Sequence, residues 1–246
     1  MHESSLLPWP TFPEELAIGE LIQNSEKFRG FYQGEREKIG GIIYWTQDST
    51  LPDGIVARSR KRCSGERVIH LRRIPIPIED AFTVAHELEH LVLDAEGFPV
   101  TLPEPNSDSD AAISLCAAIN SMLSHPIINA RLQEYGFGWR ECKGVYAAMI
   151  CEFKRLPRLA SGGHHPMELI FNYVTLILDL EAFNRKEKYK LELYFCLRYP
   201  GIAGEGKKLR SLMRETGFQT PVRQSELIIM ILDHYRLWSI CDLHLQ

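Results

Sequence analysis

Apolar positions along this chain change period twice. From Pro13 to Phe28, "PEELAIGELIQNSEKF" spaces its apolar residues three and four apart, the mark of an amphipathic helix behind a proline-bearing leader. Between 41 and 72 come three short runs, "GIIYWT" (41–46), "GIVARSR" (54–60) and "ERVIHLR" (66–72), rich in β-branched and aromatic residues. They are parted by the turn chemistry of "DSTLPD" and "KRCSG" and predict three strands of a small, mostly antiparallel sheet. From Pro77 the helical period returns, predicting helices over 77–96, 108–124, 126–135, 139–155, 166–183, 187–198, 205–216 and 221–240. The last of these opens on "TPVRQSE", a threonine cap followed by proline at the first helical position. The fold class is therefore α+β: a small antiparallel sheet with one adjoining helix, then a mainly α-helical C-terminal part. A boundary near "LPRLASGGHH" (156–165) divides a domain of residues 1–155 from a helical subdomain of residues 156–246.

The helix over 77–96 carries the chemistry. Pro77 starts it, Glu79 and Asp80 occupy its first turn, and Gly97 lies just past its end. At about 100° per residue, with His86 at zero, His90 falls near 40°, Thr83 near 60°, Asp94 near 80° and Glu87 near 100°. These five residues share one face, while Ala81, Ala85, Leu88, Val92 and Ala95 supply an apolar face for the core. An H-E-x-x-H segment so placed is what a zincin helix requires. His86 and His90, one turn apart, can present imidazole nitrogens to one Zn²⁺, and Glu87 can take a proton from an attacking water and pass it to a leaving amine.

Composition narrows the setting. With 45% hydrophobic and 24% charged residues and a net charge of -4, the chain reads as a soluble globular protein with no global pull toward nucleic acid or an anionic membrane. The cationic run "ARSRKRC" (57–63), joined by Arg67, Arg72 and Arg73, has no accompanying aromatic ladder and reads as a solvated hairpin turn. The six cysteines form no C-x-x-C pair and read as free thiols. The N-terminus has acidic residues and prolines where a signal peptide needs a basic start, and "SELIIMILDHYRLW" is broken as a membrane span by Asp233 and His234. A cytoplasmic location, with no membrane partner, is expected.

"AFTVAHELEHLVL" (81–93) resembles the "FTLAHELGHLLL" segment of the ImmA/IrrE-like minimal gluzincins, bacterial zinc metallopeptidases. The resemblance spans about residues 40 to 126 and leaves the helical remainder without a counterpart. It implies a zincin-like domain, a Zn²⁺ cofactor, hydrolysis of peptide bonds in a protein substrate, and a regulatory role. It also implies that "ERVIHLR" forms the edge strand over the cleft, along which an extended substrate would lie.

Two departures stand out. Glu89 occupies a position that is usually small in that family, but it points about 160° from Glu87. The family's third ligand, a glutamate in an "EAN-x-FAA-x-LLMP" helix, has no clean copy. "SDSDAAISLCAAINSMLSHP" offers Asp110, 20 residues after His90, while alignment on the terminal "MP" makes His125 the candidate. Zinc accepts either a carboxylate or an imidazole, so both stay open.

Other residues have plainer readings beside functional ones. Asp94 is either a partner orienting an imidazole or a solvated carboxylate near the helix end. His164 and His165, in "GGHHP", either stabilise an oxyanion or belong to a glycine-rich connection. His70, His234 and His244 read as satisfied or exposed side chains, and Asn120 as a buried hydrogen-bonding residue. The alternative to a peptidase is an inactive module that keeps the zincin shell for metal binding or protein interaction.

Overall fold

The computed structural model describes residues 10–52, 54–62, 65–105, 109–154 and 166–245. The fold is mixed α+β, with a four-stranded sheet, a two-stranded sheet and a majority of helix. The chain forms two compact units, one from residues 1–95 with 132–142 and the other from 96–131 with 143–246. The boundary expected near 156–165 lies outside the described residues.

The first unit begins with β1 (Thr11–Phe12), α1 (Glu14–Asn24) and α2 (Glu26–Ile39). One helix was expected here, but Ser25 interrupts it: extended at φ -113°, it accepts a hydrogen bond from the Phe28 N–H and caps α2. Gly40 and Gly41, both at positive φ, then turn the chain into β2 (Ile43–Gln47). β3 (Ala57–Lys61) and β4 (Arg67–Leu71) follow, and a 3₁₀ turn at Ile78–Asp80 leads into α3 (Ala81–Ala95).

All three expected strands are present, but the order is β1-β2-β4-β3 and the sheet is mixed. β4 runs parallel to β2, with Trp45 opposite Ile69, and antiparallel to β3, with Ser59 opposite Ile69. The "ERVIHLR" segment is therefore the inner strand, and the edge beside it is β3, which corrects the expectation. Burial explains the order. Val68, Ile69, His70 and Leu71 are consecutive and buried, as an inner strand covered on both faces requires, whereas in β3 only Ala57 is buried.

α3 packs on β3, β4 and α2. Phe82, Val84, Ala85, Leu88, Leu91 and Val92 are buried, and Thr83, His86, Glu87, His90 and Asp94 are the half-exposed positions. This is the division that the sequence pattern predicts, except that Ala95, expected on the apolar face, is exposed at the helix end.

The second unit contains β5 (Val100–Pro103) and most of α4 (Asp110–Glu134), whose last turn belongs to the first unit. Two helices were expected across this stretch, divided at Pro126. Instead α4 is unbroken, although proline removes one backbone donor and disfavours helix at the residue before it. Buried side chains on either side, Ile119, Met122 and Leu123 before and Ile127, Ile128 and Leu132 after, outweigh that local cost. By length and composition α4 is also apolar enough to cross a membrane, and half of its most apolar stretch is buried.

α5 (Trp139–Phe153) divides between the units in the same way. The rest of the second unit is α6 (Pro166–Phe183), α7 (Arg185–Arg198), α8 (Pro200–Thr216), α9 (Pro221–Tyr235) and β6 (Cys241–His244). α9 ends earlier than expected because Arg236 takes a left-handed conformation, and β6 then pairs antiparallel with β5. α6 packs on α7 and α8, with Tyr173 buried at the contact.

Gly206 on α8 makes that approach possible: a Cβ there would sit 2.7 Å from the Tyr173 ring. Gly206→Ala should therefore destabilise the protein by about 1–3 kcal/mol through overpacking. Gly204→Ala, two residues away with nothing within 4 Å, should be neutral or stabilising by up to about 1 kcal/mol. Chemical denaturation of the two variants checks the contrast.

Candidate metal centre

His86 and His90 lie one turn apart on the half-exposed stripe of α3, their ring centroids 5.0 Å apart at 77°. The Phe82 ring, one turn before His86, lies 6.1 Å from it on the same helix. Glu87 is held from the sheet: its Oε2 accepts the Ser59 N–H at 2.6 Å and the Ser59 hydroxyl at 2.7 Å.

Strand register explains why Ser59 can do this. The Arg62 N–H bonds the Glu66 carbonyl, and the Arg72 N–H bonds the Val56 carbonyl. Even-numbered residues of β3 therefore exchange hydrogen bonds with β4, and odd-numbered ones turn their main-chain groups away from it. The same odd set continues at Lys61, whose Nζ reaches Asp94 at 2.9 Å, with Arg67 Nε on the other Asp94 oxygen at 3.8 Å. Asp94 is thus neither solvated nor an imidazole's partner; it ties the end of α3 to β3 and β4.

Three further cations of this region are also engaged. Arg62 pairs with Glu66, Arg73 with Glu79 and Asp80, and Arg72 donates to the carbonyls of Leu51, Pro52 and Ile55.

His125 on α4 has a different environment. Its Nδ1 lies 3.1 Å from Asp179 Oδ2, and the other Asp179 oxygen accepts the Asn129 side-chain N–H at 2.6 Å. Asp179, on α6, and Asn129, one turn beyond His125, are both at 0% exposure. Neither was singled out in the sequence. The available signals were faint: an amide four residues after a histidine, and one acid in the apolar run "FNYVTLILDL".

His86 and His90 belong to the first unit, and His125 and Asp110 to the second. Two imidazoles one turn apart on one helix are borderline donors suited to a first-row divalent ion, so His86 and His90 can supply two ligands of a metal site. Asp110, the other candidate for a third ligand, shares a helix with His125. It is exposed at the start of α4, fifteen residues before His125 on the same unbroken helix, which is about 22 Å away at 1.5 Å per residue.

The remaining candidates lie elsewhere. His70 is buried in β4 with Nδ1 2.9 Å from the Thr46 hydroxyl oxygen, and burial lowers its pKa below the usual imidazole value. Asn120 accepts from the Thr101 N–H and hydroxyl and donates to the Thr101 carbonyl, fastening β5 to α4. His234 and His244 are exposed, and Glu89 is buried at 0% exposure away from the half-exposed stripe. His164 and His165 lie outside the described residues.

Comparison with protein-family models, curated proteins and solved structures returns no match.

Asp110 and His125 are too far apart on α4 for one ion to take both, so at most one of Asp110→Ala and His125→Ala should lower the metal content. Elemental analysis of the two purified variants checks this, and loss of metal in both would contradict an unbroken α4.

Proposed function

We propose that the protein is a zinc-dependent metallopeptidase that hydrolyses peptide bonds in a protein substrate. The observation that carries this reading is the pair His86 and His90, one turn apart on the half-exposed stripe of α3, with Glu87 beside the first of them and anchored to an edge strand. Resemblance of the α3 segment to the ImmA/IrrE-like gluzincins adds the expectation of a regulatory substrate. The third ligand of that family, a glutamate, has no clean copy in this chain, and His125 or Asp110 would stand in its place.

His86 and His90 would hold the zinc ion in this reading, with His125 or Asp110 as the third ligand. When bound, zinc supplies Lewis acidity, polarising the scissile carbonyl and lowering the pKa of water. Glu87 takes the proton from the attacking water and returns it to the leaving amine. Ser59 fixes one oxygen of that carboxylate through two hydrogen bonds, which limits the reorientation needed before proton transfer. The edge strand β3 is the surface along which an extended peptide would lie; the outward Ser59 N–H is taken by Glu87, so the peptide would pair with the other outward main-chain groups of the strand.

Two sets of variants test the reading. Zinc should be present at close to one ion per chain and be lost in both His86→Ala and His90→Ala, because two remaining ligands are too few for tight binding. Glu87→Gln should keep its zinc and lose hydrolysis by about 10²–10⁴-fold. Cleavage is read by mass spectrometry of a proteome-derived peptide library incubated with each variant. Wild-type cleavage by Glu87→Gln would remove Glu87 from the mechanism. A zinc-loaded wild type that cleaves nothing would favour the interaction-module alternative.

A further inference from the structure

We infer that Cys116 and Cys241 are a modification site: oxidation joins them as a disulfide between α4 and β6, and reduction releases it. Both residues belong to the second unit.

Strand alternation brings the two sulfurs together. β5 and β6 pair antiparallel, with Thr101 opposite Leu243 and Pro103 opposite Cys241. Thr101, Pro103, Cys241 and Leu243 therefore share one face of the two-stranded sheet. Thr101 and Cys241 on that face are buried, at 1% and 0% exposure, whereas Leu102 and Asp242 on the other face are exposed.

The buried face meets α4. The Thr101 hydroxyl lies 3.1 Å from the Cys116 carbonyl, and the Thr101 N–H donates to the Asn120 side chain at 2.7 Å. Cys116 and Asn120 are one turn apart, so this side of α4 lies against the face that carries Thr101 and Cys241. Cys116 is itself at 2% exposure, and its thiol is hydrogen-bonded to that of Cys241.

The surroundings give the two sulfurs different parts. Cys241 donates to the Cys116 sulfur and the Thr101 hydroxyl also reaches it, which together hold the Cys116 thiol below the ordinary cysteine value against the opposing effect of burial. Cys241, as the donor to Cys116 and as a buried group, is pushed up. Cys116 is thus the attacking sulfur and Cys241 the one that resolves.

Hydrogen peroxide serves as the oxidant. The Cys116 thiolate attacks one peroxide oxygen; the S–O bond forms, the O–O bond breaks, and the departing hydroxide takes up the proton that Cys116 gave up and leaves as water. Cys241 sulfur then attacks the Cys116 sulfenic acid. The S–S bond forms, the S–O bond breaks, and hydroxide leaves with the Cys241 proton as a second water. The dithiol loses two electrons and the peroxide gains them. Access comes from β6, which is four residues long and paired only with β5 in its sheet. A two-stranded sheet is marginal by itself, so local opening of β6 admits a small peroxide. The disulfide then closes that opening, because β6 is tied to α4.

The test uses the full chain. It is treated with hydrogen peroxide at neutral pH, quenched in acid, alkylated under denaturing conditions and mapped by mass spectrometry without reductant. A peptide pair linked through Cys116 and Cys241 should account for most of the chains and disappear with dithiothreitol. Amide exchange across residues 241–244 should slow about tenfold or more in the linked form. Cys116 and Cys241 both still alkylated once the exposed Cys151 and Cys196 are oxidised would overturn the inference, as would Cys116 recovered as a sulfinic or sulfonic acid. In Cys241→Ser, dimedone should label Cys116 as a sulfenic acid, because no thiol is left to resolve it. An unlabelled Cys116 there would overturn the parts given to the two sulfurs. If Cys241→Ser does not fold, the linked peptide in the wild-type chain still decides the pairing.

Discussion

Burial of α3 on most of its circumference is the constraint on which the site depends. A helix with Phe82, Val84, Ala85, Leu88, Leu91 and Val92 inside cannot rotate without exposing several of them, each costing about 1.5–3 kcal/mol. The stripe left over is therefore fixed in direction, and it carries His86, Glu87 and His90. Apolar packing in this way preorganises polar groups that have little mutual attraction of their own. Asp94 adds a second restraint at the helix end, where Lys61 and Arg67 reach it from adjacent strands.

Much of this was legible in the sequence, because the helical period and the H-E-x-x-H spacing are local. The same half-exposed face can be drawn from about 100° per residue alone. Pairing order was not legible in the same way. Three strands met in succession suggest a meander, and only the contrast between the apolar "VIHL" and the charged "ARSRK" hints that the later strand lies inside. Pro126 misled for a related reason. A local rule ends a helix there, whereas the decision rests with side chains up to a turn on either side that are buried by distant parts of the chain.

The candidates for a third ligand show where sequence reasoning stops. Asp110 and His125 are equivalent by ligand chemistry, and an unbroken α4 holds them about 22 Å apart, so one ion can take at most one of them. Asp179 was further from reach, 54 residues beyond the histidine it contacts and on a helix with no motif of its own. Burial of a lone carboxylate is visible only when its surroundings are known.

β3 draws these threads together. Read as sequence, "ARSRK" is a short cationic patch, and its charge suggests a surface feature. Strand alternation divides it into two sets. Arg58 and Arg60 belong to the even set that bonds β4 through the main chain, and both are exposed. Ser59 and Lys61 belong to the odd set and face α3, where one meets Glu87 and the other Asp94. A period of two on the strand is thus matched to a helical interval of seven residues, from Glu87 to Asp94, about 10 Å at 1.5 Å per residue. Two strand residues span about 7 Å, and the flexible lysine side chain covers the difference. The strand most easily dismissed as solvated surface is the one that registers the acidic side chains of α3 against the sheet.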